Sequence, residues 1–208
     1  MKKGKLITIE GCEGVGKSTQ LAMLKQYFLD NGIDAVFTRE PGGTDISEQI
    51  RKISLDKNNV EMDDVTELLL YMAARRQHTF QLIKACVEQG KIVVCDRYAD
   101  STMAYQGYAR GIDKQMIKDL SKYAQGDVAI DVTLFLDLDP VRAFERKGGR
   151  DASDRMENEK LSFHQRVYEG FKAIAEEELG RVAVIDASKP ANDVFSDVIA
   201  QLKAREII

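Results

Sequence analysis

Residues 6–19 constrain this chain more than any other stretch: Leu6-Ile7-Thr8-Ile9-Glu10-Gly11-Cys12-Glu13-Gly14-Val15-Gly16-Lys17-Ser18-Thr19. A short run of strand-forming residues breaks into glycines and closes on Lys17-Ser18, just before a helical pattern that starts at Gln20. This is the phosphate-loop spacing, Gly11 through Gly16 followed by Lys17 and Ser18. Glycines let successive backbone amides turn toward one anion without side-chain obstruction. The following helix points its unpaired N–H groups and partial positive charge at the same place. Lys17 is set to reach β- and γ-phosphates, and the Ser18 hydroxyl to ligate Mg²⁺. The candidate nucleotide site is therefore Gly11, Cys12, Glu13, Gly14, Val15, Gly16, Lys17, Ser18 and Thr19. A glycine-rich turn that binds nothing is the plainer alternative, and strand, loop and helix in the right order argue against it.

Composition removes several other classes. At 208 residues the chain suits one compact domain, and 44% hydrophobic content is ample for a core. A net charge of −4 argues against a general nucleic-acid or membrane-surface binder, so any anion must be held by a local cluster of basic groups. Cys12, Cys86 and Cys95 are odd in number and not closely paired, which points to reduced thiols in a cytoplasmic setting. His78 and His164 have no cysteine pair beside them and do not make a zinc site. The apolar run after Lys2, Lys3 and Lys5 is too short for a signal peptide, and no segment is long enough to span a membrane.

Apolar periodicity then lays out the rest of the chain. Strands are expected at 5–10, 35–38, 92–95, 132–136 and 182–185, the third a continuous apolar run suited to burial on both faces. Helices are expected at 18–30 and 46–55, and in one long piece from Asp63 to Gln89. Further helices fall at 101–125, with a break near Gly107–Ile112, at about 157–179, and from Ala191 onward. Strands alternating with helices imply a parallel sheet in a three-layer α/β fold, with ligands beyond the carboxyl ends of the strands.

Three groups stand at those ends. Asp96 directly follows an apolar strand, as a carboxylate near Mg²⁺ would, although an aspartate there also suits a helix N-cap. Arg97 beside it and Arg39 at the end of the second strand can each clamp a phosphate bidentately, and together they point to a second phosphate site. Glu13 is an awkward charge inside a phosphate loop unless it faces a ribose hydroxyl or a magnesium-bound water, or simply turns outward. Residues 146–155 place Arg146, Lys147, Arg150 and Arg155 around two glycines, a composition that serves either a closing lid or a solvated charge run.

Taken together, these motifs resemble thymidylate kinase of the bacterial type over nearly the whole chain. The most specific parts are Arg39-Glu40-Pro41-Gly42-Gly43-Thr44, Asp96-Arg97-Tyr98 and Ser101-Thr102-Met103-Ala104-Tyr105-Gln106-Gly107. The resemblance implies a single phosphate-loop kinase domain over 1–208, like the nucleoside monophosphate kinases, with a five-stranded parallel sheet and a lid at about 146–156. It implies transfer of a phosphoryl group from Mg-ATP to dTMP, giving dTDP on the way to dTTP. Arg39 and Arg97 would hold the dTMP phosphate, with Arg51 close by, and Glu13 would read the deoxyribose 3′-hydroxyl. Tyr71 falls where the family usually stacks a phenylalanine on thymine, and Arg75 would donate to the base carbonyl. Tyr71 and Arg75 are i and i+4, so one helix face can carry both. Ser101, Thr102 and Gln106 would complete the acceptor pocket, and Tyr105 would close over the sugar. Lys17, Arg97, Arg150 and Arg155 would be catalytic, with Ser18 and Asp96 toward the metal. Phe171 stands where a tyrosine is common. The family is commonly dimeric, and the apolar surface of the helix from Asp63 is able to support a homodimer. Two other readings remain at this point: a kinase on the same scaffold for another nucleotide or nucleoside, and a nucleotide-switch module that recruits a protein partner.

Overall fold

The computed structural model describes residues 4–147 and 154–208. In chain order its elements begin with β1 (Lys5–Glu10), α1 (Lys17–Asp30), β2 (Ala35–Arg39), α2 (Asp45–Leu55) and α3 (Asp64–His78). A π-helical turn (Thr79–Ile83) and α4 (Lys84–Glu88) extend α3, and β3 (Ile92–Asp96) follows. Next come α5 (Ala99–Thr102), a second π-helical stretch (Met103–Ala109) and α6 (Lys114–Gln125). The chain continues through β4 (Val132–Asp137), α7 (Pro140–Lys147), α8 (Leu161–Glu177), β5 (Val182–Asp186) and α9 (Ala191–Ala204).

The five strands form one parallel sheet in the order β2-β3-β1-β4-β5. Alternation along the strands explains the layers. Ile7, Ile9 and Val94 face a core that includes Leu24 and Phe28 of α1. Leu6, Val93 and Cys95 face the opposite core, with Ile83 and Val87. Both faces are covered, as a parallel sheet requires. Among the described residues no helix is long and apolar enough to cross a membrane.

Register sets up the site. Arg39 pairs with Asp96, and Asp96 with Ile9, so the ends of β2, β3 and β1 lie in one row. The expected second phosphate site and the phosphate loop thus arise on neighbouring strands.

The structure differs from the sequence expectation in a few places. The helix expected from Asp63 to Gln89 contains the π turn, where buried Thr79 hydrogen-bonds the Tyr98 hydroxyl at 2.7 Å. The expected break in the next helical region falls slightly later than Gly107–Ile112, at 110–113, where Asp113 caps α6 by accepting from the Met116 N–H at 2.7 Å. The helix expected from about 157 starts at Leu161, because Asp154 accepts from the Met156 and Glu157 amides and folds that stretch as a turn.

Candidate active site

The loop after β1 carries the first half of the site. Gly14 has φ +77, and a Cβ there would sit 2.8 Å from the Ala143 carbonyl oxygen, so only glycine lets the loop pass α7. Cys12 and Val15 turn their side chains into the core. Burial pushes the Cys12 thiol up to about 12, so it stays protonated at neutral pH. Lys17 opens α1 and is itself buried. Its Nζ donates to the carbonyls of Gly11 (3.0 Å) and Cys12 (2.9 Å). Burial lowers its pKa, with Arg97 adding to the effect.

Arg97 comes from the end of β3 and adopts a left-handed backbone, φ 63. Such a conformation costs on the order of 1–3 kcal/mol and persists only where surroundings over-determine it. Here the Arg97 N–H donates to the Ile9 carbonyl at 3.0 Å, while buried Glu10 accepts from the Tyr98 N–H at 2.7 Å. The guanidinium is thereby turned back over the phosphate loop. Its Nη1 donates to the Gly11 carbonyl at 3.1 Å, the same oxygen that Lys17 uses. Its Nη2 lies 2.5 Å from Glu13 Oε1, which also accepts from the Tyr105 hydroxyl at 3.3 Å. Burial alone would raise Glu13, but Arg97 and Lys17 outweigh it and hold the carboxyl down to about 2. Glu13 therefore turns inward, toward Arg97.

Arg39 and Arg51 form a second basic pair. Their Nη1 atoms both donate to the Pro41 carbonyl, at 3.0 and 2.8 Å. Glu48 balances Arg39 and also accepts from the Gly43 N–H at 2.8 Å. Burial and the neighbouring Arg39 lower the Arg51 pKa. Two guanidinium groups sharing one carbonyl leave several donors for an incoming anion.

The remaining wall is apolar with fixed polar groups. Tyr71 and Arg75 share a face of α3, as their spacing requires, and both line the cavity. Arg75 is buried and held by Nε to Glu40 (2.7 Å) and by Nη2 to the Tyr98 carbonyl (2.9 Å) and the Thr102 hydroxyl (2.8 Å), while among the described residues Nη1 has only the Met72 sulfur at 3.9 Å. Glu40 in turn meets His78 Nδ1 at 3.0 Å. The Ser101 hydroxyl braces Glu10 at 2.5 Å and accepts from Arg97 at 3.2 Å. Tyr105 and Gln106 come from the π-helical stretch, which α8 packs against. Phe171 of α8 is buried, stacks on Phe135 with centroids 5.5 Å apart, and meets Tyr105 edge-on. Glu13, Lys17, Arg39, Tyr71, Arg97 and Gln106 all line one cavity of about 540 Å³.

The lid residues divide. Arg150 lies outside the described residues, as does the rest of 148–153. Arg146 lines the cavity while donating to the carbonyls of Ala187 (2.8 Å) and Ser188 (3.2 Å). Arg155 is tied elsewhere than the phosphate loop: its guanidinium pairs with Glu67 and with the Ser54 carbonyl, and its N–H donates to Leu55. Sequence reasoning missed Glu67, Arg110 and the anchoring role of Glu40. A glutamate four residues before Tyr71 was the available signal, since that spacing puts both on one helix face.

Divalent-metal binding can be tested on the donors. The Ser18 hydroxyl is exposed at the cavity, and Asp96 Oδ1 is buried with no hydrogen-bond partner among the described residues. A hard oxygen donor set of hydroxyl and carboxylate beside a phosphate site fits Mg²⁺.

Lys17 on one side and Arg97 on the other meet at the Gly11 carbonyl, so the cavity joins two cationic subsites at a single point. That geometry, on this fold, suits a phosphate-loop kinase with a phosphorylated acceptor. Relatives narrow the class. The family model described as Thymidylate kinase matches residues 9–198. A thymidylate kinase of Clostridium novyi is 43% identical over 98% of this chain and 100% of its own length. One from Finegoldia magna is 42% identical over 97% of this chain and 99% of its own. The crystal structure of thymidylate kinase from Ehrlichia chaffeensis superposes with a TM-score of 0.79 at 35% identity, covering 96% of this chain and 99% of that one. The chain belongs to the thymidylate kinase family.

Proposed function

We propose that this chain works as a single kinase domain that moves the γ-phosphoryl group of ATP, with Mg²⁺, onto the 5′-phosphate of dTMP, giving dTDP and ADP on the way to dTTP. The observation that carries the reading is the shared Gly11 carbonyl, which brings the phosphate-loop lysine and the acceptor-side arginine together. The backbone of residues 11–16 with Lys17, Ser18 and Thr19 holds the donor nucleotide. Arg39, Arg51 and Arg97 receive the acceptor phosphate, and Glu13, held ionised beside Arg97 and Tyr105, accepts from the sugar 3′-hydroxyl. Tyr71 stacks on the base, while Arg75, Thr102 and Gln106 address its edge. Ser101 sets Arg97 through the Glu10 brace.

The acceptor phosphate is already ionised, so no strong general base is needed. Catalysis rests on holding the two phosphates in line and countering the charge that spreads over the transferring group. Lys17 and Arg97 supply two cations fixed before substrate arrives. Ser18 and Asp96 would hold Mg²⁺, which when bound would neutralise phosphate charge. Arg155 would contribute to transfer only after leaving Glu67.

Three unpaired thiols, Cys12, Cys86 and Cys95, suit a cytoplasmic enzyme. Leu69 on α3 and Tyr123 on α6 are 49% and 81% exposed around one groove, an apolar face suited to a homodimer.

The test is ADP release with Mg-ATP and dTMP, CMP, AMP or thymidine added singly. Turnover with dTMP and little with the others supports the reading. Turnover with another monophosphate keeps the kinase but overturns the base-reading residues. Slow hydrolysis that ignores every acceptor would overturn the acceptor site altogether.

A further inference from the structure

Glu67 is fully buried on α3, one turn before Tyr71, and the reaction described so far gives it no role. Three side chains donate to its carboxylate. Gln106 Nε2 lies 2.7 Å from Oε1, Arg110 Nη2 lies 3.1 Å from Oε2, and the Arg155 guanidinium also meets Oε2. Arg110 is further held by Asp64 at 3.2 Å and Glu159 at 2.6 Å. A carboxylate lying against two guanidinium groups offers acceptors only.

That fixes the Gln106 amide. Its NH₂ end must face Glu67, and its carbonyl oxygen is left for the cavity that Gln106 lines. Among the described residues nothing donates to that oxygen. An unconstrained glutamine can present either end, donor or acceptor, to a ligand.

We propose that Glu67 is a positioning residue for base selection: by locking the Gln106 amide it makes the pocket present an acceptor to the base edge. A pyrimidine with a protonated ring nitrogen, thymine or uracil, supplies the matching donor. Cytosine presents an acceptor at the same ring atom and meets like polarity. The inference rests on the dTMP reading and adds to it the residue that sets the polarity of the pocket.

The experiment uses the full chain with saturating Mg-ATP and either dTMP or dCMP as acceptor. Wild type is compared with Glu67→Gln, Gln106→Met and the double variant. In Glu67→Gln the new amide both donates and accepts, so Gln106 is free to turn over. The dTMP-to-dCMP ratio of kcat/KM is expected to fall about tenfold, because a mismatched buried hydrogen bond is discriminated on that scale or above. The fall should appear in KM for dTMP, with kcat nearly unchanged. Gln106→Met should lower the ratio similarly, and Glu67→Gln should change it no further in that background.

Equal losses for both acceptors in Glu67→Gln would make Glu67 a purely structural residue and overturn the proposal. So would a further fall of the ratio in the double variant. Should Glu67→Gln not fold, Gln106→Met decides, since an unchanged ratio there also overturns it. Wild-type enzyme that ignores dTMP but uses another monophosphate would instead sink the acceptor reading itself.

Discussion

Arg75 shows how tightly single side chains are bound into this site. Its guanidinium neutralises Glu40 in the buried interior while two further acceptors, Tyr98 and Thr102, take its Nη2 donors. Removing one partner of a buried ion pair strands the other, at a cost of about 3–5 kcal/mol. Arg75→Leu should lower the urea-unfolding free energy by that amount, and a loss below about 1 kcal/mol would show that Glu40 is satisfied without it. Glu10 gives a pH signature instead. Burial, then the nearby Asp100, raises its carboxyl from 4.5 to about 7. The folded chain therefore holds this proton more tightly than the unfolded chain, and stability falls as pH rises from 4.5 through about 7. Glu13 acts oppositely, since its value of about 2 stabilises above 4.5 and is lost as pH falls toward 2. Thermal midpoints across pH 4.5–7 should fall more steeply for wild type than for Glu10→Gln; identical slopes would refute the assignment to Glu10. At this scale the sequence marked residues where a motif names them, as with Lys17, Asp96 and Arg97, which the structure places on the cavity wall. It was silent on Glu67 and Arg110, which meet 43 residues apart and belong to no local pattern.

At the scale of elements, the strand ends were legible because apolar runs stop abruptly at Glu10, Arg39 and Asp96. The two π-helical stretches were not. A shift from i+4 to i+5 hydrogen bonding widens the helix without leaving a mark in apolar periodicity. The second stretch matters most, since it carries Tyr105 and Gln106 and packs against α8. Gly170 on α8 permits that contact: a Cβ there would lie 2.9 Å from Tyr108 Cβ and 3.0 Å from Ala104 Cα. Gly170→Ala should cost about 1–3 kcal/mol through overpacking. It should also raise KM for dTMP, because the displaced stretch holds Tyr105 and Gln106. An alanine variant with unaltered stability and KM would mean that α8 does not position the pocket. The segment around Arg155 was readable as basic and glycine-rich. Its pairing with Glu67, 88 residues away, was not, because composition does not say which acid a basic residue will meet.

For the whole molecule, one row of strand ends gathers the donor loop, Asp96, Arg97 and Arg39 without long insertions. The parallel fold and its five strands followed from the alternation of apolar runs with helical periods. Association was less legible, because an exposed apolar face does not identify its own partner. If the groove between α3 and α6 joins two copies, Leu69→Glu should shift the mass measured by light scattering from two chains to one. A wild-type protein that is already a single chain at micromolar concentration would contradict the homodimer. On this reading the cavity moves a phosphoryl group between two bound nucleotides. ATP labelled in its γ-phosphate, incubated with Mg²⁺, dTMP and the protein, tests it directly. The label should pass into dTDP, and Lys17→Ala should slow the transfer by roughly a thousandfold, as loss of a cation on the transferring group does in such enzymes. Label released as inorganic phosphate, with no dTDP formed, would mean that the cavity hydrolyses ATP and does not phosphorylate dTMP.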